Sequence, residues 1–243
     1  MKVISRKPIV RAEVEASLLA YESGGLSSLV KELDERLLQL KVRFPLLEYA
    51  SELLFEAIED EVQIPFCDRI SALAREGGNV VLGKMLQLRL ELHYQESLEK
   101  AAYYIASGRA WYVSDLIGER VFGVALLNFP ERSLKAIHKL ATHPSHWVLR
   151  ALGAGSHYAV KKGLEKDWAE KLFQFLLTLA AHQDREVRRG IGWAAKTSAR
   201  FHPEIIELYK EKIEDQAKVD NWFRRKVNMG LERNAYYAQR DRG

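Results

Sequence analysis

The 243-residue sequence is poor in the residues that cross-link, break or anchor a chain. Its one cysteine, Cys67, excludes an intramolecular disulfide and any zinc site built from cysteines, and fits a reducing compartment such as the cytoplasm. With only 6 prolines and few turn-rich alternating segments, little interrupts helical periodicity. No apolar run reaches the length of about 18 residues that a membrane span needs. The start, Met1-Lys-Val-Ile-Ser-Arg-Lys-Pro8, lacks the apolar core of a signal peptide, so neither export nor membrane insertion is expected. Seven histidines are present without a His-Glu-x-x-His arrangement, and no metal site is expected. Gly24-Gly25 and Gly77-Gly78 lack the flanking strand and the Lys-Ser/Thr of a phosphate-cradling loop, and no cofactor is expected.

What the chain does contain is Leu, Ala, Glu, Lys and Arg at helical spacing, with 47% hydrophobic and 29% charged residues, the balance of a folded all-α protein. Short punctuation separates the helical stretches at Ser23-Gly-Gly25, Arg43-Phe-Pro45, Gly77-Gly-Asn79, Ser107-Gly108, Asn128-Phe-Pro130, His143-Pro144, Gln183-Asp184 and His202-Pro203. No long linker occurs, so one domain is expected over residues 1–243. Residues 1–78 would be N-terminal helices capping a stack, and 79–243 its recognisable repeats.

The second half repeats itself. Leu140-Ala-Thr-His-Pro-Ser-His-Trp-Val-Leu-Arg-Ala-Leu-Gly153 lies over Leu179-Ala-Ala-His-Gln-Asp-Arg-Glu-Val-Arg-Arg-Gly-Ile-Gly192, matching His143 with His182, Arg150 with Arg189 and Gly153 with Gly192. Looser copies begin at Trp111 and Trp222, so that Asp115, Arg150, Arg189 and Arg225 form one column at offsets of 35, 39 and 36 residues. Such a period predicts stacked helical hairpins. The string Asp184-Arg-Glu-Val-Arg-Arg resembles a HEAT repeat, which implies a right-handed solenoid, an α-α superhelix, whose second helices line a concave face.

Charge is distributed unevenly over this repeat. Residues 1–145 hold 18 basic and 20 acidic side chains, whereas residues 146–243 hold 19 and 13, a basic surplus of the kind a polyanion-binding surface needs. Three or four residues before the members of the column stand Trp111, Trp147, Glu186 and Trp222, one helical turn away on the same face. The expected groove therefore carries a carboxylate at Asp115 at the head of the column, with several guanidinium groups and several indoles. Arg224-Arg-Lys226, with Arg233, Arg240 and Arg242, adds a basic C-terminal helix and tail.

The order Trp111-x-x-x-Asp115, Trp147-x-x-Arg150, Arg189-Gly-Ile-Gly-Trp193 and His202-Pro-Glu204 resembles the signature of the AlkD-type DNA alkylation-repair glycosylases. The resemblance implies excision of cationic N3- or N7-alkylated purines from double-stranded DNA by a monomer. It gives Asp115 the role of catalytic carboxylate and sets Trp111 and Trp193 against the lesion-bearing deoxyribose. Arg150 would hold a backbone phosphate, with Trp147, Arg189, Lys196 and Arg225 completing the DNA-binding face. Gly153 and Gly155 depart from a helix that is usually Ala-rich, and are expected to loosen it. The second reading is a HEAT-like module that binds DNA, or a protein partner, through the same face without excising a base.

Overall fold

The structure, a computed structural model, describes residues 3–240. Arg242 of the basic tail, and Met1 and Lys2 of the N-terminal segment, lie outside the described residues. The protein is helical almost throughout, the exception being a two-residue parallel pairing of β1 (Val3–Ile4) with β2 (Lys41–Val42). It divides into two compact units, Met1–Gly108 and Arg109–Gly243, with a boundary well past residue 78.

The first unit holds α1 (Lys7–Leu33), α2 (Phe44–Ala57), α3 (Asp60–Ala72), α4 (Glu76–Arg89) and α5 (Tyr94–Gly108). Pro8 sits in the first turn of α1, where its missing N–H costs nothing. Ser23-Gly-Gly25 breaks the helical run as expected: Gly25 is non-helical (φ 65°, ψ −164°), and the kink there divides α1 into two helical stretches. Gly77 and Gly78, by contrast, fall within the first turn of α4. Helix α4 packs on α2, α3 and α5. At its end the buried Arg89 donates to Asp60 Oδ1 (2.7 Å), Gln63 Oε1 (2.6 Å) and Glu96 Oε2 (2.8 Å), tying three helices through one guanidinium. Cys67 is fully buried, and burial pushes its thiol up to about 12, which leaves it protonated and inert at neutral pH.

The second unit begins with a continuous rod in which α6 (Trp111–Gly118), a wide π-helical turn (Glu119–Gly123) and α7 (Val124–Asn128) follow without a break. Then come α8 (Pro130–Leu140), α9 (His146–Lys161), α10 (Lys166–Thr178), α11 (Arg185–Phe201), α12 (Pro203–Leu208), α13 (Lys210–Glu214) and α14 (Asn221–Arg240). The rod, α9, α11 and α14 pack side by side in that order, while α8 and α10 pack on each other and against α9 and α11.

The repeat seen in the sequence is reproduced at the helix starts. His143 Nδ1 accepts the backbone N–H of Ser145 (3.0 Å), and His182 Nδ1 accepts that of Asp184 (3.1 Å), the same contact 39 residues later. Asp184 then caps α11, its Oδ1 accepting from the amides of Glu186 (2.7 Å) and Val187 (3.1 Å). Burial alone raises the Asp184 carboxyl, but these two amides outweigh it and hold the group below the usual carboxylate range.

The glycines of α9 do not loosen it. A Cβ built on Gly153 would stand 2.1 Å from the carbonyl carbon of Gly190, and one built on Gly190 would stand 2.3 Å from the carbonyl oxygen of Arg150. Helices α9 and α11 therefore meet backbone to backbone, closer than any side chain permits. Gly155 makes a similar approach to Gly123 of the rod. The consequence for the site is geometric: side chains one turn away on neighbouring helices come within hydrogen-bond reach.

Candidate nucleic-acid interface

That reach is used by a chain of charged groups running across three helices. On α6, Asp115 lies one turn after Trp111, and both of its oxygens accept from the Arg150 fork: Nε to Oδ1 at 2.9 Å and Nη2 to Oδ2 at 2.7 Å. The third nitrogen of Arg150, Nη1, donates to Glu186 Oε2 on α11 (2.8 Å). Glu186 Oε1 in turn accepts from Arg189 Nη1 (2.8 Å). The Arg150 side chain is only 9% exposed, Asp115 16% and Glu186 17%, so these are charge-assisted bonds in a site with little water to weaken them.

Arg150, which the resemblance would set against a phosphate, thus rests on two carboxylates. Arg188, directly after Val187, makes a separate link: its Nε donates to the carbonyl of His182 (2.9 Å) and its Nη2 lies 3.7 Å from Asp220 Oδ2. Arg188 thus links the start of α11 to the segment leading into α14, apart from the charged chain through Arg150.

Beside that charged chain opens a cleft of about 390 Å³ lined by Trp111, Arg150, Arg189, Trp193, Lys196 and Lys226. Five of these were expected from the sequence. Trp111 is 57% exposed, an indole held out from α6 with its edge against Tyr112. Trp193 is half-buried on α11, where its ring stacks on His157 of α9 at 3.9 Å between centroids. Arg189, Trp193 and Lys196 share one face of α11, being spaced by four and three residues.

Asp115, Trp147 and Arg225 do not line this cleft, and Asp115 adjoins it only through its bonds to Arg150. Trp147 is half-buried against His146, and Arg225 is exposed. The neighbouring Lys226 takes the place expected for Arg225, because its stem lies over Gly192, where a Cβ would stand 2.9 Å from Lys226 Cγ. The last copy keeps its register, since Phe223 and Val227 are buried as Val187 and Ile191 are, but α14 lines the cleft from the next position along the helix, which pattern matching alone does not reveal.

His157 escaped the sequence reading altogether, although it lies seven residues beyond Arg150 and so on the same face of α9. Its Nδ1 is 2.6 Å from Thr197 Oγ1, and Thr197 also donates to the carbonyl of Trp193 (3.0 Å). Thr197 thus holds the His157 ring, which in turn stacks on the Trp193 indole. Burial, followed by the charges of Lys161 and Lys196, lowers the His157 imidazolium from 6.5 to about 4. The folded state thus binds a proton less readily than the unfolded chain. The resulting stability is complete above pH 6.5 and is lost as the pH falls towards 4. Thermal melts across this window should show a decline that His157→Gln flattens; parallel curves for the two proteins would remove His157 as its source.

Among the described residues, no group of three or more His, Cys, Asp or Glu side chains is placed to hold a metal ion, and no helix is long and apolar enough to cross a membrane.

Fold and site together define an all-helical protein with a basic, tryptophan-walled cleft next to a buried carboxylate–guanidinium chain. A family model for DNA alkylation repair enzymes matches residues 78–226, well over half of the chain, and the chain belongs to that family. Neither the curated proteins nor the solved structures give a match.

Proposed function

We propose that this member of the DNA alkylation repair family is a DNA glycosylase that releases cationic N3- or N7-alkylated purines from double-stranded DNA. The observation that carries the reading is Asp115: a carboxylate at the head of the row that runs on through Arg150, Glu186 and Arg189, held by a two-point fork and joined through Arg150 to a basic cleft between two indoles. An alkylated purine is already a positively charged leaving group, so cleavage of its glycosidic bond needs little acid catalysis. The demand falls on the sugar, where an oxocarbenium ion develops and a water must be placed.

Each oxygen of Asp115 accepts one hydrogen bond from Arg150, and each keeps a further lone pair. The carboxylate is thus held in one direction beside the cleft, and with a sugar bound there it would use the spare lone pairs to stabilise the cation and to take a proton from water. Trp111 and Trp193 would offer π-faces to the cationic deoxyribose. Arg189, Lys196 and Lys226 would meet backbone phosphates, with Arg225 and Trp147 at the edge of the face. Arg150 is assigned a different part: rather than binding phosphate, it aims Asp115 and carries the charge of Glu186. The row of α9, α11 and α14 is read as the inner layer of a right-handed solenoid of HEAT-like hairpins, acting as a monomer in the cytoplasm without metal or cofactor.

The test is release of 7-methylguanine or 3-methyladenine from alkylated duplex DNA by the purified protein. No release of either base, nor of any other alkylpurine supplied, would sink the reading. A second reading has its own support, since both oxygens of Asp115 are already engaged: a module that binds DNA or a protein partner without excision. A salt series on duplex binding separates those two partners, because only a phosphate-tracking face gives a steep salt dependence.

A further inference from the structure

On the far side of the wall formed by Trp193 and Lys196, helices α9, α11 and α14 enclose a second, smaller cleft of about 220 Å³. Four cations line it: Lys161 from α9, Lys196 and Arg200 from α11, and Arg233 from α14. No carboxylate does. Among the described residues, none of the four has an acidic partner, in contrast to Arg150 and Arg189 in the first cleft, which are matched by Asp115 and Glu186.

The arrangement is built rather than loose. The Arg200 guanidinium lies over the Tyr237 ring, 4.4 Å from its centroid, so an aromatic face, not an anion, holds it in place. Asn234 fixes the α11–α14 crossing by donating to the Arg200 carbonyl (2.7 Å). Burial, and after it the charges of Arg233, Lys226 and Arg200, hold the Lys196 ammonium below its ordinary range, which reflects how crowded the cations are. Like charges gathered round a void repel one another, and an anion placed among them removes that repulsion.

Arg189, Trp193, Lys196 and Arg200 recur every three to four residues along α11, so the two clefts share one line. At the rise of an α-helix, Arg189 to Arg200 spans about 16 Å, enough for a strand to touch the line with more than one phosphate. We propose that the second cleft is a phosphate seat, filled by a backbone phosphate of the same DNA strand whose nucleotide faces Trp193. This rests on the reading of the face as a DNA-binding surface, but not on excision.

The experiment compares the parent protein with the double variants Arg200→Gln/Arg233→Gln and Arg200→Lys/Arg233→Lys. Affinity for an unmodified duplex is measured by fluorescence anisotropy over a salt series, and thermal stability is followed with added inorganic phosphate. The Gln pair should flatten the slope of log K against log salt by about one, the value for one lost phosphate contact, while the Lys pair keeps the parent slope. Inorganic phosphate should raise the melting temperature of the parent and of the Lys pair, but not of the Gln pair. A parent-like slope in a folded Gln pair overturns the assignment to a backbone phosphate. If phosphate still stabilises only the two cationic proteins in that case, the seat belongs to a free phosphate compound instead. Because the duplex carries no lesion, a protein that excises nothing but shows the slope change loses only its glycosylase reading.

Discussion

Asp115→Asn should lower the single-turnover rate of alkylpurine release by a factor of about 100 or more, the scale of losing one preorganised group that stabilises transition-state charge. The substitution removes the negative charge from the sugar side and nothing else of comparable size. Its structural cost is nevertheless not zero. Arg150 donates to both Asp115 oxygens, at 2.9 and 2.7 Å, and an Asn turns one of those acceptors into a donor facing a donor. Losing a charge-assisted bond of this kind costs about 1.5–3 kcal/mol, which lowers the melting temperature by several degrees without unfolding the protein at working temperature. Duplex affinity should hold or rise, since an acidic group has left a basic face. A variant with wild-type release would remove Asp115 from the chemistry. A folded variant that no longer binds duplex would make its role one of building the face.

The largest effect on stability is expected from Gly153→Ala. The added methyl group would stand 2.1 Å from the Gly190 carbonyl carbon and 2.3 Å from its oxygen, both backbone atoms that cannot rotate aside. The helices α9 and α11 must separate, opening the most extensive helix–helix contact of the second unit and stretching the Arg150–Glu186 bond one turn away. Overpacking of this kind costs about 3 kcal/mol, and a backbone neighbour places it at or above that figure. A fall in melting temperature of about 6 °C or more should result, with loss of excision at temperatures where the protein is still folded. Gly192→Ala is the matched comparison. Its methyl group meets only the Lys226 side chain, whose flexible stem moves away, and the gain in helix propensity offsets the disturbance. Equal melting temperatures for the two variants would contradict the close-approach account.

Much of this architecture was legible before any coordinates. Helical class followed from periodicity, and the offset of 39 residues found the equivalence of His143 and His182, which the two matched amide contacts bear out. Asp115 was visible as the lone acid in a column of arginines. Its bond to Arg150 was not, because reach between stacked helices depends on the closeness of their backbones. Glycine is ambiguous on that point: the same Gly153 that suggests a loose helix in one dimension is a contact surface in three. Glu186 was visible beside the column but had no assigned partner, since a carboxylate bridging two arginines leaves no spacing signature. That Lys226 rather than Arg225 reaches the cleft depends on the room above Gly192. The second cleft was hidden for the opposite reason. Its cations come from three different helices, and only Lys196 and Arg200 are close enough in sequence to be read together.

The sole cysteine acquires a practical meaning from its position. Cys67 is sealed in the core of the first unit, with its thiol pushed up to about 12, so a maleimide or disulfide reagent meets it only when that unit opens. The cleft, the charged row and the backbone-to-backbone glycine contacts of α9 and α11 lie in the other unit. Labelling kinetics at Cys67 therefore time the opening of one half of the chain with no engineered probe, while tryptophan emission, from Trp111, Trp147, Trp168, Trp193 and Trp222, originates wholly in the other half. The protein carries a separate natural gauge for each of its two units.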